Sequence, residues 1–219
     1  MKLSLRALSL VPCMAALLTV AGNAQITGTE WSGWSANVPV LGSQPSAASA
    51  NLTFSATAID FCEGQTGVGA CVPPNNSYTL AGFLSSQGGA SGVTGATYHG
   101  GAAGTDTLDN TLWEFSGTAL FTTGEVFDVG HDDGTQMYIN GVNVLSDPGP
   151  TSFALSSFTY TGPTGNFTFN FLYGELDGAP AVYETNLESG GNTPEPSTFA
   201  LLGTGLLAAA GAIRRRLAA

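Results

Sequence analysis

The 219-residue sequence is poor in basic residues, and the few present lie near its two ends. Residues 25–193 contain no Lys or Arg but hold every Asp and Glu except Glu195. We therefore predict no internal salt bridges there, and a buried carboxylate must be satisfied by backbone N–H groups, hydroxyls or a cation. Nucleic acid is excluded as a partner, because neutralising phosphates requires clustered basic side chains. The basic residues are Lys2, Arg6, Arg214, Arg215 and Arg216.

Cysteine is also scarce, with three residues in the whole chain. Cys13 lies in an N-terminal apolar run, which leaves Cys62 and Cys71 as the pair within residues 25–193. In an exported chain such a pair predicts a disulfide that closes a small loop. The spacing lacks neighbouring histidines and is not C-x-x-C, so it does not favour a zinc or redox site.

Residues 1–24 have the pattern of a secretory signal peptide. Basic residues precede an apolar run, residues 7–20, and small residues follow it. We expect cleavage between Ala24 and Gln25. The predicted domain that remains is residues 25–192.

The C-terminal residues 193–219 combine three features in a fixed order. A Pro-Glu-Pro sequence precedes a mostly apolar run, residues 199–213, and an arginine cluster follows directly. This run of about fifteen residues is at the short end of the length that a membrane-spanning helix needs. The arginines would hold the C-terminal end of such a helix in the cytoplasm. We predict a transmembrane helix that leaves the domain facing outwards, whether the segment directs sorting or is a simple tail anchor. The residues concerned are Pro194, Glu195, Pro196, Arg214, Arg215 and Arg216.

This order resembles the PEP-CTERM sorting signal of Gram-negative bacteria. The resemblance implies recognition and cleavage near Pro194-Glu195-Pro196 by an exosortase, a membrane transpeptidase-like enzyme. It also implies export through an inner-membrane intermediate to the cell surface or extracellular matrix. Exopolysaccharide secretion and biofilm or floc formation are the usual associations of such proteins.

Residues 25–192 show the period-2 alternation of apolar and polar residues that is typical of half-buried strands. Roughly eight to ten short strands, frequent turn signals and no helical period predict an all-β antiparallel sandwich. Residues 85–105 are rich in Gly, Ser and Ala, and we predict a mobile loop there because they bury little apolar surface. Strands are predicted in residues 51–61, 77–84, 110–122, 153–160, 167–173 and 181–187.

Two tryptophans lie three residues apart near the start of the domain. Trp31 and Trp34 are either exposed platforms for sugar rings or part of a first strand that covers the sandwich. We favour the second interpretation.

The segment 125–145 contains the strongest local signal in the chain. Asn140-Gly141, flanked by alternating apolar residues, predicts a β-hairpin with a type I′ turn. The corner Asp132-Asp133-Gly134 lies just before it. In trans geometry adjacent side chains point to opposite faces, so both aspartates reach one cation only if the peptide between them is bent or cis.

Strand, Asp-Asp-Gly corner and hairpin together resemble the PA14 domain family over roughly residues 112–187. The resemblance implies a jelly-roll β-sandwich. In sugar-binding members such as yeast flocculins, aspartates joined by a cis peptide hold a calcium ion that contacts the glycan. For this chain it implies calcium ligands at Asp132 and Asp133, with Glu175 and a backbone carbonyl of Asp177 beside them. Glu175 stands where the lectins carry Asn, a departure that adds negative charge.

Other interpretations of the same residues stay open. The corner is alternatively an Asx-type turn that bonds its own backbone. His131 we interpret as a loop residue, since adjacent residues such as His131 and Asp132 rarely face each other. Glu175 with Asp133 is a conceivable glycosidase pair, but we expect no enzyme. The two functional hypotheses are a carbohydrate-binding or adhesion module with a calcium site, and a structural matrix protein without a ligand.

Overall fold

The structure is a computed structural model that describes residues 25–34, 42–66, 70–74, 76–147 and 149–188. The predicted signal peptide, residues 1–24, and the predicted sorting signal with its membrane helix, residues 193–219, lie outside the described residues. None of the helices in the described part is long and apolar enough to cross a membrane.

The described residues form eleven strands, one α-helix and two short 3-10 turns at Ala47–Ser49 and Gln87–Gly89. The helix α1 spans Leu80–Ser85. The strands, in chain order, are β1 Ile26–Ser32, β2 Leu52–Ala56, β3 Ala58–Glu63, β4 Thr94–Tyr98, β5 Thr111–Phe121, β6 Val126–Asp132, β7 Gly134–Ile139, β8 Val142–Asp147, β9 Ala154–Thr159, β10 Gly165–Glu175 and β11 Ala181–Glu188.

These strands form two antiparallel sheets, which confirms the predicted all-β sandwich. The larger sheet has the order β4-β2-β1-β5-β10-β7-β8, and the smaller has the order β3-β11-β6-β9. The longest pairing joins β5 and β10 over their full length without a register shift, from Thr111 opposite Glu175 to Phe121 opposite Gly165. These two strands form the middle of the larger sheet and place the end of β10 beside β7.

The space between the sheets is filled mainly by aromatic side chains. Phe54 of the larger sheet meets Phe61, Trp113 and Phe115 with ring centroids 6.1–6.2 Å apart in edge-to-face arrangements. Such contacts add stabilisation to the burial of the rings themselves. Trp31 is also buried, and it packs with Trp34, Ala50 and Leu112 in a separate small cluster. This packing is the one expected of a strand that covers the sandwich.

The single strand predicted at residues 51–61 is wrong, because the chain changes sheet in its middle. β2 pairs with β1 in the larger sheet, whereas β3 pairs with β11 in the smaller one. At the break, the backbone N–H of Thr57 donates to the Ser91 carbonyl over 2.8 Å. Apolar and polar residues continue to alternate across the break, so the sequence pattern does not show where the chain passes from one sheet to the other.

The strand predicted at residues 77–84 is also wrong, since most of that segment is helix α1. The Thr79 hydroxyl accepts the backbone N–H of Gly82 and so caps the helix N-terminus, which stabilises a short helix. Leu80, Phe83 and Leu84 are buried. Their i, i+3, i+4 spacing places all three on one face, a pattern that a six-residue helix barely displays.

The mobile loop predicted at residues 85–105 instead contains strand β4. It pairs with β2 at the edge of the larger sheet, with Leu52 opposite Tyr98 and Thr53 opposite Thr97. The first four residues of β4 are exposed. Backbone pairing to a free sheet edge therefore orders this segment, and the lack of apolar burial does not prevent it.

The predicted hairpin, the predicted disulfide and the four other predicted strands are confirmed. Asn140 and Gly141 have φ values of 50° and 76° and connect β7 to β8 in a hairpin, as a type I′ turn requires. Cys62 and Cys71 form a disulfide. The predicted strands at residues 110–122, 153–160, 167–173 and 181–187 correspond to β5, β9, β10 and β11.

Candidate functional site at the Asp132-Asp133 corner

The acidic corner is the point where the chain passes from one sheet to the other. β6 belongs to the smaller sheet and ends at Asp132, and β7 belongs to the larger sheet and begins at Gly134. Asp133 is the single residue between them. The peptide bond between Asp132 and Asp133 is cis, the geometry that the resemblance implies.

Both aspartates line an open cavity of about 430 Å³, which we call the corner cavity. Glu175 and Asp177 line it as well, so the structure brings together all four residues that the sequence suggested for a metal site. The other walls come from the β8–β9 loop and from the loop between β10 and β11. They are Pro150, Thr151, Ser152, Gly178, Ala179 and Pro180.

Asp133 is held by backbone donors from two different loops. Its Oδ1 accepts the N–H of Thr151 over 2.8 Å, and its Oδ2 accepts the N–H of Leu176 over 3.0 Å. The carboxylate therefore ties the two loops that wall the cavity to the corner. Sequence reasoning missed Thr151 and Leu176, because they act through main-chain N–H groups that any residue except proline carries.

Glu175 is almost fully buried and closes the turn after β10. Its Oε1 accepts the N–H groups of Asp177 (3.2 Å) and Gly178 (2.9 Å). Its Oε2 lies 2.7 Å from the hydroxyl oxygen of Tyr173. Asp177 itself is exposed at the cavity mouth.

Two of the carboxyl groups at the corner cavity, those of Asp132 and Glu175, have raised pKa values. Burial, together with the negative charges of Asp133 and Asp132, raises the pKa of Glu175 to about 9. Burial and the neighbouring carboxylate of Asp133 likewise raise the pKa of Asp132 to about 7. No Lys or Arg exists between residues 25 and 193 to offset these charges. The folded domain therefore favours a proton or a cation at this place.

His131 lies within β6 and is fully buried, so its interpretation as a loop residue is wrong. Its Nδ1 lies 2.6 Å from the main-chain oxygen of Asp133. A carbonyl accepts only, so Nδ1 carries the proton and donates it. The ring of His131 therefore bonds to the main chain of Asp133, which lies two positions further along the chain.

The other ring nitrogen of His131 lies beside a carboxylate, a contact that the prediction of no internal salt bridges did not consider. Nε2 lies 3.2 Å from Asp147 Oδ2 and 3.1 Å from the Ser156 hydroxyl oxygen. When the ring is protonated it forms an ion pair with Asp147. The prediction considered Lys and Arg alone, and histidine supplies the exception.

The donor groups at the corner cavity fit a hard divalent cation in kind, since carboxylate and main-chain oxygens are the ligands that calcium prefers. Asp132 and Asp133 are adjacent, line the same cavity and are 6% and 4% exposed. The described residues contain no group of three or more His, Cys, Asp or Glu side chains arranged around one metal position. A complete calcium shell here would include main-chain carbonyls, water or ligand hydroxyls.

Comparison with known proteins supports both resemblances. Residues 192–216 match the PEP-CTERM protein-sorting motif, a span that includes Pro194-Glu195-Pro196 and the three arginines. A comparison with curated proteins finds no match.

Among solved structures, the PA14 sugar-binding domain from an RTX adhesin is 18% identical, with a TM-score of 0.50. The likeness covers 78% of this chain and 100% of that one. The PA14 domain of the antifreeze protein MpAFP is 20% identical with a TM-score of 0.49, covering 77% of this chain and 83% of that one. A GH31 alpha-xylosidase from Xanthomonas citri is 10% identical with a TM-score of 0.30, covering 63% of this chain and 16% of that one.

The described part of the chain is thus a PA14-like antiparallel β-sandwich. The whole chain combines this sandwich with a PEP-CTERM sorting motif. That motif marks an exported protein that exosortase processes at the membrane, with a destination at the surface or outside the cell.

Proposed function

We propose that this protein is a carbohydrate-binding adhesion module of a Gram-negative cell surface or exopolysaccharide matrix, with a calcium site at the corner cavity. The observation that carries the proposal is the meeting of Asp132 and Asp133 with Glu175 and Asp177 around one open cavity. The PA14 sugar-binding domain of the RTX adhesin, which shares the fold, supports it. The protein acts by binding, and we propose no catalysis.

In this proposal Asp132 and Asp133 hold calcium through their carboxylates, and Asp177 contributes its main-chain carbonyl. Calcium bound there supplies positive charge and open coordination positions to which sugar hydroxyl oxygens bind. The N–H groups of Thr151 and Leu176 keep the Asp133 carboxylate in one orientation. Hydrogen bonds to a metal-ligating side chain fix its orientation and strengthen metal binding.

In this proposal Glu175 favours calcium through the negative charge of its ionised form, and it does not act as a direct calcium ligand. Both of its oxygens are used by Tyr173 and by the turn at Asp177 and Gly178. A bound cation favours the ionised carboxylate, so calcium binding releases protons below about pH 9. Calcium affinity is therefore expected to weaken as the pH falls.

Calorimetric titration of the full chain with CaCl2 tests the site. We expect saturable binding that is lost when Asp132→Asn and Asp133→Asn are combined. The matched control combines Asp60→Asn with Asp128→Asn, which removes the same charge from the outer face of the smaller sheet. A flat titration of the unaltered protein, or equal loss in the control, refutes the calcium site and leaves the sorting motif untouched.

A second function, a structural matrix protein without a ligand, is favoured by one observation. Both carboxylate oxygens of Asp133 accept main-chain N–H groups, so this carboxylate is satisfied without a metal. A glycan array probed with and without calcium separates the two functions. Binding that requires calcium supports the adhesion module, and an array without any binding supports the matrix protein.

A further inference from the structure

A second cavity lies at the other end of strand β7, beside the Asn140-Gly141 turn. It has a volume of about 400 Å³ and lies between the β7–β8 hairpin and the turn that joins β9 to β10. Its size is within the range of small-ligand sites. β7 separates it from the corner cavity by about 20 Å, at roughly 3.3 Å per residue. We call it the hairpin cavity.

The hairpin cavity differs from the rest of the domain in charge. Its lining includes no Asp, Glu or His, although the surrounding chain is strongly acidic. The corner cavity, by contrast, is lined by four carboxyl groups. An anionic ligand is repelled by the acidic domain as a whole, and the lining has no carboxylate that could pair with a cationic ligand at this place. The charge pattern therefore favours a neutral ligand.

The lining combines aromatic surface with exposed amide and hydroxyl groups. The half-buried ring of Phe167 lies in the wall next to Tyr160, with ring centroids 6.5 Å apart. Asn140, Asn143 and Thr161 lie around them with exposed side chains. An amide supplies both donors and an acceptor, and a hydroxyl supplies one of each. An aromatic ring beside such groups matches a pyranose ring, which has an apolar face and a rim of hydroxyls.

The position of these groups is well defined by the fold. The backbone N–H of Asn140 donates to the carbonyl of Thr168 over 2.7 Å, which ties the hairpin turn to β10. The Tyr160 hydroxyl donates to the Pro163 carbonyl over 3.1 Å and so holds the opposite wall. Both walls are therefore set before a ligand binds, which lowers the entropic cost of binding.

We infer that the hairpin cavity is a second binding site, selective for neutral saccharides and independent of calcium. It goes beyond the proposed calcium site, because it uses other residues at the opposite end of β7. Two saccharide sites on one domain would let it bridge two chains or bind one chain twice.

The test uses the full chain in a detergent without a sugar headgroup, in EDTA, titrated with cellopentaose, maltopentaose and galacturonate pentamer. We expect a neutral pentasaccharide to bind and the charged one not to. Asn143→Ala and Phe167→Leu should each weaken binding about tenfold, because they remove an amide contact and the aromatic wall.

Two matched controls separate a binding effect from a folding effect. Asn166→Ala removes an exposed amide from the neighbouring position of β10, and Phe158→Leu changes another half-buried ring that packs on Phe127. Neither residue lines the cavity. Both controls should bind within about twofold of the unaltered protein.

The combined Asp132→Asn and Asp133→Asn variant makes the two sites distinguishable. It should lose calcium-dependent binding and keep binding in EDTA. Absence of neutral-saccharide binding in EDTA overturns the inference, and so does binding that Asn143→Ala and Phe167→Leu leave unchanged. Capture of an apolar peptide in place of any saccharide would identify a protein-docking surface and equally overturn it.

Discussion

The hydroxyl oxygen of Tyr173 lies 2.7 Å from Glu175 Oε2, and both residues are buried. The same hydroxyl also donates to the main-chain oxygen of Asp132. A phenol carries one proton, so Tyr173 donates to Asp132 when a protonated Glu175 donates to Tyr173. The raised pKa of Glu175, about 9, keeps that proton in place at neutral pH. Tyr173 thus connects the acidic corner to the turn that faces it.

Tyr173→Phe should destabilise the protein by about 1–3 kcal/mol, because it leaves two buried oxygens without their partner. Urea unfolding followed by tryptophan fluorescence measures the change. Tyr160→Phe is the control, since its hydroxyl bonds a surface turn at Pro163 and its loss should cost less. Equal costs for the two variants would show that the link to the corner carries no special stability.

Stability in EDTA should fall as the pH rises from about 5 to 9. Above its ordinary pKa of 4.5 the carboxyl of Glu175 is ionised in the unfolded chain, yet it stays protonated in the folded protein up to a pKa of about 9. In that interval the folded state binds the extra proton, so raising the pH favours unfolding. In urea unfolding at stepped pH, Glu175→Gln should abolish the decline between pH 7 and 9 and make it shallower below pH 7, where the raised pKa values of Asp132 and Glu184 also contribute.

Glu184→Gln provides the control for this pH dependence. Burial and the charge of Asp60 raise the pKa of Glu184 to about 7. Its substitution should therefore make the decline shallower up to about pH 7 and leave the decline from 7 to 9 intact. A decline between pH 7 and 9 that survives Glu175→Gln would contradict the assignment to Glu175.

Gly149→Ala should disrupt the corner. A Cβ at Gly149 would lie 2.5 Å from the main-chain nitrogen of Gly134 and 3.0 Å from Asp133 Cβ. The backbone must move to remove this clash, which should lower the free energy of unfolding by about 1–3 kcal/mol. Any calcium binding should be lost as well. At Gly165 a Cβ would lie 3.2 Å from the Phe167 ring, which can shift. Gly165→Ala is therefore the control and should be nearly neutral in thermal unfolding.

Removing the disulfide should lower the free energy of unfolding by about 2.5–3 kcal/mol, because the bond closes a small loop and so reduces the conformational entropy of the unfolded chain. Cys62 and Cys71 are nine positions apart and buried, so Cys62→Ala with Cys71→Ala is the appropriate double change. Dithiothreitol should lower the urea midpoint of the unaltered protein and leave that of the variant unchanged. A midpoint that does not respond to reduction in either protein would show that the bond adds no stability.

Several features of this protein could be predicted from the sequence because their causes are local. A type I′ turn needs positive φ at two consecutive residues, and Asn140-Gly141 supplies them. Because residues 25–193 contain no Lys or Arg, a buried carboxyl there depends on a proton, on N–H and O–H donors or on a bound cation. Asp133 and Glu175 both accept main-chain N–H groups. The sorting motif is likewise a contiguous pattern near the C-terminus.

Tertiary structure alone decided the features that depend on distant partners. Thr57 leaves the larger sheet through a bond to Ser91, and β4 becomes a strand because the edge of β2 is free. His131 meets Asp147 and Ser156 because β6, β8 and β9 converge there. Thr151 and Leu176 hold the corner through main-chain groups that every non-proline residue shares. Alternation and spacing describe a residue's neighbours along the chain, whereas these contacts join residues many positions apart.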